Sequence, residues 1–505
     1  MTRRLALKFS DWRERNRDPL SANWNPTLPL DVWALLAVFA AAVALRIFAL
    51  GAESLWFDET YSVMLAEKPL SWGMVTLPGG VYLALLHFWL ALGRSEIAIR
   101  LLSAAFGIAT VPVVFVLARR LFGWRPALWA AGLVAISPFH VWYSREARMY
   151  ALAGFFAWLA VWAAVEALRH RKPWLWLVYW LGAAFGLYTH SFSVFVMLAV
   201  NLWVLLVFVL EPDKRRAIVP WLTANLMFVA LAVPWLIAFS QQQSLGWWGW
   251  VGQKYGAPGL AQLLRLPADF ALGTTRPDWG PLGWVPLLAW AAVFIWGLIP
   301  LSRGKEPSWW RAGGREWACG IILAAVPILT MFVASHVVPM FVVRYTFVFM
   351  PAFAIIAGRG FGKLKPSIAR WGVAALYLAG VAATLVTMFT IPQKEDFRGA
   401  MVYLAGEAPA NAIVFLVDED IKVPVEHYYK KPADFHPIWR GHTSDADLSP
   451  RVDPFVQQAQ EFWLVVSHTD NDAVELYLSR FGDVVGRQQF LGVSVLRFLR
   501  KEGGG

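Results

Sequence analysis

From Leu30 to Ile391 the chain repeats one pattern, apolar stretches of about 20 residues separated by short polar or basic turns. A helix of that length, rising 1.5 Å per residue, crosses a hydrocarbon core of about 30 Å. A backbone in lipid must satisfy its own hydrogen bonds, so each stretch is expected as a helix. The spans fall approximately at 30–50, 97–118, 126–142, 150–168, 173–189, 191–210, 218–239, 281–301, 317–335, 345–358 and 371–391, about eleven in all. The run from Val81 to Leu92 is too short to cross comfortably and reads as a juxtamembrane or re-entrant helix. Beyond about Pro392 the apolar runs shrink to strand length, at Ala412–Val417, Phe462–Val466 and Val493–Phe498, with helix-like segments Phe397–Gly406 and Asp472–Phe481 between them. That alternation predicts a small α/β domain. The expected organisation is an N-terminal tail (1–29), an α-helical polytopic membrane domain (30–391) whose first outer loop spans 51–96, and a C-terminal α/β domain (392–505). No internal repeat is visible, and no low-complexity stretch beyond Gly503–Gly505.

Length alone would suggest roughly three soluble domains, but 58% hydrophobic and 16% charged residues contradict a soluble chain. The net charge of +11 is scattered between apolar segments, with no basic stripe or arm, which excludes a nucleic-acid-binding surface and turns the charge into a topology signal. Basic clusters lie in the N-terminal tail (Arg3 to Arg17), at Arg119/Arg120/Arg125, Arg169/Arg171/Lys172 and Lys214/Arg215/Arg216, and in the stretches Arg303–Arg315 and Arg359–Arg370. If all six face the cytosol, an even number of crossings separates each from the next. The outer side then receives Gly51–Gly80, Tyr143–Tyr150, Thr189/His190, Ser240–Gly280, Ser335–Arg344 and everything after Ile391. The first apolar run lacks a small-residue cleavage site and reads as a retained span. The single cysteine, Cys319, allows no intrachain disulfide or cysteine metal cluster and reads as an inert core residue. The nine histidines show no HxxxH or HExxH spacing, so a metal site has no support.

The residues capable of chemistry all fall on the outer side. In "SLWFDETYSVMLAEKP", adjacent Asp58 and Glu59 stand among aromatics. Such a pair could supply a general base; Asp58 fits equally well as a cap of the following helix. In "YSREARMYAL", Arg145, Glu146 and Arg148 occupy the outer end of a span against the positive-inside bias, with interfacial snorkelling as the plain alternative. Arg100 and Arg344 are two more outward cations. Four such arginines on different helices could converge on an anion at membrane depth, a lipid phosphate. His190, in "LYTHSF", fits a hydrogen-bonded turn residue as well as a site residue. Trp247, Trp248 and Trp250 fit either the lipid interface or the mouth of a site. Glu395, Asp396 and Arg398 read as solvated charges at the start of the outer domain.

The order of a first span, an outer loop with "WFDE", "SREARMYA" after the third span, then "YTH", a late "RY" and a C-terminal outer domain resembles the GT-C glycosyltransferases over roughly residues 30–400. Within them it is most similar to the family 39-like protein O-mannosyltransferases and aminoarabinose transferases. The resemblance implies an inverting, mannosyltransferase-like enzyme that moves a sugar from a polyprenyl-phosphate carrier to a protein, lipid or glycan acceptor on the extracytoplasmic side, without a metal or other cofactor. It implies Asp58 as the base and Glu146 as a second carboxylate orienting acceptor or sugar. Arg100, Arg145, Arg148 and Arg344 become phosphate-site candidates, with Glu59, Tyr150, His190 and Tyr345 as further substrate contacts. Many relatives carry a His-Pro-Pro-like or Asn-Pro-Pro-like segment before the short apolar helix; here Pro78, Gly79 and Gly80 stand in its place, which loosens the backbone and removes a hydrogen-bonding side chain. The expected setting is a prokaryotic plasma (inner) membrane. The competing expectations are a lipid-linked oligosaccharide transferase or ligase, and a transporter or flippase, which would carry inverted repeats and mid-membrane polar groups.

Overall fold

The computed structural model describes residues 29–501 except 77–78, 171, 245–253, 255, 279, 301–309, 440, 458 and 468–471. Most of the N-terminal basic tail, part of the Arg303–Arg315 cluster, Arg171, Pro78 and the three tryptophans 247, 248 and 250 therefore lie outside the described residues. Each of the eleven apolar stretches is helical. Eight helices among the described residues are long and apolar enough to cross a membrane: Glu96–Phe122, Tyr150–His170, Ser193–Leu210, Pro212–Gln241, Gly280–Leu298, Arg315–Ala334, Val343–Lys363 and Ser367–Thr390. The chain is an integral multi-pass membrane protein.

Two spans differ from expectation, each for a local reason. The stretch 126–142 is two helices, Trp124–Ile136 and Pro138–Ser144, broken at Ser137. Pro138 cannot donate to the preceding turn, and the Ser137 hydroxyl accepts from His140 N–H at 3.2 Å, so the second helix starts afresh with its own cap. The stretch 345–358 opens as a tight 3-10 segment, Val343–Phe349, before the α-helix Met350–Lys363. The short run 81–92 is the ten-residue helix Gly80–Trp89.

Described residues of three basic clusters, Arg120, Arg169 and Arg315, meet at one end of the bundle. Arg120 pairs with Glu166 (2.6 Å), Arg315 with Glu211 (3.2 Å) and Glu316 (2.7 Å), and Arg169 lies 3.9 Å from Glu316. Glycines let the backbones close near this end. A Cβ on Gly360 would strike the Val293 carbonyl, and one on Gly297 the Ile356 carbonyl, so helices Trp284–Leu298 and Met350–Lys363 pack backbone to backbone.

After the helix Ser367–Thr390 the chain builds a five-stranded sheet in the order β2-β1-β3-β5-β4. The strands are β1 Ala412–Val417, β2 Ala433–Ile438, β3 Glu461–Ser467, β4 Gly482–Phe490 and β5 Val493–Arg500. β2, β1 and β3 run parallel, while β5 is antiparallel to β3 and β4. Helices Phe397–Glu407 and Lys422–Tyr428 cover one face of the sheet, Asp445–Val456 and Ala473–Leu478 the other. β2 and β4 were absent from the apolar pattern because they are edge strands: β2 carries Asp434, His436 and Pro437, and β4 is mostly exposed and polar. Edges tolerate such residues because one side of their ladder is unpaired.

This domain sits on the end of the bundle opposite the basic clusters. Arg398 pairs with Glu96 (3.0 Å) and donates to the Ala52 carbonyl (2.7 Å), Asp396 caps the helix Phe397–Glu407 through Gly399 N–H (2.9 Å), and the Ser54 hydroxyl donates to the Glu395 carbonyl. The Tyr428 hydroxyl bridges Leu55 N–H (2.7 Å) and Glu96 (3.2 Å). Arg398 and Asp396, expected as solvated charges, are thus docking and capping groups.

Candidate active site

The first loop carries the helix Phe57–Glu67, whose N-cap is Trp56. Asp58 is therefore inside the helix, which corrects its reading as the cap; Glu59 does that work, accepting from Trp56 N–H at 3.4 Å. Consecutive helical residues point about 100° apart, so the two carboxylates enter different surroundings. Glu59 turns inward and is fully buried. One oxygen accepts from Arg100 Nε and Ala147 N–H, each at 2.8 Å; the other accepts from Arg100 Nη2 (2.6 Å) and Lys394 Nζ (3.1 Å). Burial by itself would raise this carboxyl, but the Arg100 and Lys394 charges and the Ala147 N–H hold it down at about 2.

Arg100 spends its whole donor set on the same knot. Besides the fork to Glu59, it donates to the carbonyls of Leu50 (3.0 Å), Glu53 (2.8 Å) and Ser54 (2.8 Å). A guanidinium has five N–H donors, and all five are committed, so Arg100 has none to offer a phosphate. Arg145 donates to the carbonyls of Leu45 (3.1 Å), Phe48 and Ala49 (3.0 Å), closing the end of the helix Pro29–Ile47, a cation at a helix C-terminus. Glu59, Arg100 and Arg145, expected as substrate contacts, are structural ties in this geometry.

The remaining candidates form a second group around Asp58. Arg344 Nη1 is 3.1 Å from Asp58 Oδ2, and Asp58 keeps 18% of its side chain exposed where Glu59 keeps none, so Asp58 is the carboxylate open to a ligand. Arg148 donates to the Asp58 carbonyl (3.1 Å) and the Ser62 hydroxyl (3.0 Å). The Arg344 guanidinium lies 5.6 Å over the Tyr345 ring. Tyr345 stacks on Phe192 (5.0 Å) and meets His190 edge-on (5.4 Å), and His190 in turn faces Tyr150 (5.5 Å). Burial, with Arg148 and Arg344 adding to it, pushes His190 down to about 3, so its ring is neutral, and its Nδ1 accepts from Phe192 N–H at 3.4 Å.

Glu146 is buried between the two groups. Burial raises its carboxyl to about 7, with Lys394 and Arg344 pulling it down and Glu59 and Asp58 pushing it up. Glu146 Oε2, Arg148 Nε and the Tyr150 hydroxyl are buried without hydrogen-bond partners among the described residues. Unsatisfied polar atoms are costly, and here they mark what the site offers a ligand: an acceptor, a cationic donor and a hydroxyl within one cluster. Among the described residues no group of three His, Cys, Asp or Glu could hold a metal ion. Lys394 and Ser62 were not singled out from sequence. Ser62 lies one helical turn after Asp58, a spacing that could have flagged it, whereas Lys394 in "PQKEDFR" has no local signal.

The sequence model of the family described as dolichyl-phosphate-mannose-protein mannosyltransferase matches residues 78–238. No curated protein sequence matches the chain. Among solved structures, the chain is similar to ArnT from Cupriavidus metallidurans in its apo state, at 15% identity and a TM-score of 0.59, covering 92% of this chain and 97% of that one. The same protein bound to undecaprenyl phosphate gives 14% and 0.58 over the same shares. The Archaeoglobus fulgidus oligosaccharyltransferase is similar at 13% identity and 0.53, covering 91% of this chain and 73% of that one.

Proposed function

On the premise that this chain has the GT-C membrane fold, we propose that it is an inverting glycosyltransferase drawing its sugar from a polyprenyl-phosphate donor at the extracytoplasmic surface. The observation that carries the reading is the pairing of a partly open Asp58 with Arg344 at 3.1 Å, beside Arg148, while the neighbouring Glu59–Arg100 pair is sealed. The ArnT structure with undecaprenyl phosphate and the family-model match support the donor class. The positive-inside bias supports an outward site, because Arg120, Arg169 and Arg315 gather at the other end of the bundle.

In this reading the acceptor hydroxyl approaches Asp58, which takes its proton as the hydroxyl oxygen bonds to the anomeric carbon. The bond from that carbon to the phosphate oxygen breaks on the opposite face, and the phosphate leaves with the electron pair. Arg344 and Arg148 meet the growing negative charge. The phosphate needs no acid, since its oxygens are stable as an anion. Before the donor arrives, Arg344 rests on Asp58; binding the phosphate draws the guanidinium away and leaves the carboxylate to act as base. Glu146, ionised above about 7, accepts from a sugar hydroxyl and orients the ring.

The test is transfer of radiolabelled sugar by purified protein from a panel of synthetic polyprenyl-phosphate sugars, mannose first, to membrane-extract acceptors. Wild type is expected to label an acceptor fraction, whose partitioning gives its class, and folded Asp58→Asn is expected to label none. Near-normal turnover by Asp58→Asn would remove Asp58 as the base, and no label from any donor by folded wild type would overturn the reading.

A further inference from the structure

Lys394 lies between the last membrane helix and the first helix of the C-terminal domain, three residues before Phe397. A lysine there would ordinarily be solvated. Instead it is buried, with Nζ 3.1 Å from Glu59 Oε2 and 5.8 Å from the centre of the Trp142 ring. Its own N–H donates to Glu53 Oε1 at 3.2 Å. Two residues on, Asp396 N–H donates to the Leu491 carbonyl (2.9 Å) in the turn between β4 and β5. The chain thus passes within three residues from the carboxylate knot to the sheet of the C-terminal domain. Desolvating an ammonium is expensive, and the fork from Arg100 already neutralises Glu59. A second buried cation on that carboxylate needs another reason, and the nearest is geometric: Glu59 fixes the helix bearing Asp58 and, through Ala147 N–H, the segment bearing Glu146.

We propose that Lys394 is a positioning residue that couples seating of the C-terminal domain to the active site, so that Asp58 and Glu146 take up their reacting arrangement only when that domain is docked. The inference rests on the glycosyltransferase reading for its effect on turnover, but its structural half does not. Glu146 is faced by Asp58 and Glu59 from the loop helix, by Lys394 from the linker, by Arg344 from the 3-10 segment and by Tyr143 from the helix before it. Of these, Lys394 is the group that leaves when the domain lifts.

The experiment compares full-length wild type, Lys394→Met, Lys394→Arg and Arg398→Ala by hydrogen exchange and by transfer. Arg398 docks the same domain through Glu96 and the first loop, away from Asp58, Glu59 and Glu146. Lys394→Met is expected to speed exchange about tenfold in the segments 57–62 and 146–149 while β1 and β3 stay protected. Arg398→Ala is expected to loosen the same two segments, and Lys394→Arg to restore them. In transfer, Lys394→Met should lower kcat about tenfold with donor KM within about twofold, and shift the rise of kcat with pH to higher pH, because the cation that favours ionised Glu146 is gone. Unchanged exchange in both segments for Lys394→Met and Arg398→Ala would overturn the coupling, as would a lower kcat with an unmoved pH profile, which a merely structural lysine would give. If wild type transfers nothing, the glycosyltransferase reading fails while the exchange data still decide the coupling.

Discussion

Asp58 and Glu59 are neighbours of the same chemical type with opposite fates, and the reason is which side of one helical turn each occupies. Sequence made both visible as an acidic pair among aromatics, and resemblance chose Asp58 as the base. It could not separate the arginines that hold the fold from those left for a ligand, because that depends on carbonyls supplied by residues about 50 to 100 positions away for Arg100 and Arg145. The division predicts different failures. Arg344→Ala should weaken binding of polyprenyl phosphate about ten- to hundredfold, the worth of one charge-assisted hydrogen bond of about 1.5–3 kcal/mol, with thermal stability little changed. Glu59→Gln should instead lower stability by about 3 kcal/mol or more, since it strands buried Arg100; unfolding in detergent measures it. Glu146 adds a pH signature: with its carboxyl at about 7, transfer should climb as pH rises through that value, and Glu146→Gln should be slow with no such limb. A rise through pH 7 that survives in Glu146→Gln would assign the limb to another group.

Elements were legible in proportion to how apolar they are. All eleven apolar stretches could be placed as helices from hydropathy, eight of them long and apolar enough to cross a membrane, and β1 from its run of Ala412–Val417, but the polar edges β2 and β4 and the Pro-containing helix Asp445–Val456 could not. Nor does hydropathy reveal where two helices touch. Glycine is a poor helix former, yet Gly360 and Gly297 each open room for a carbonyl of the facing helix. Gly360→Ala should therefore destabilise, by about 1–3 kcal/mol as overpacking does, although alanine is the better helix former. A rise in melting temperature for Gly360→Ala would show that the two helices can move apart at little cost.

For the whole molecule, the two buried glutamates pull stability in opposite directions with pH. Glu59 is held below its ordinary value of about 4.3, so its contribution is present above that value and is lost as pH falls towards about 2. Glu146 is held above, so its contribution is full below about 4.3 and is lost as pH rises through about 7. The melting temperature should drop as pH falls from about 4.3 towards about 2 and decline again as pH rises from about 4.3 to about 7, and Glu146→Gln should remove only the second decline. Hydropathy placed the sheet domain after the last span, yet the way it attaches was illegible, because Glu395, Asp396 and Arg398 look like any solvated run until Glu96, Gly399 and the Ser54 hydroxyl are brought to them. Among the described residues, that attachment uses the segment 393–398 and Tyr428, and the side-chain hydrogen bonds that seat the domain come from neither β3, β4 nor the helices Asp445–Val456 and Ala473–Leu478. The exposed faces of the helices Asp445–Val456 and Ala473–Leu478 are accordingly open to change: the segment 393–398 and the helix Lys422–Tyr428 keep the domain seated while that surface varies, a socket with a replaceable outer face.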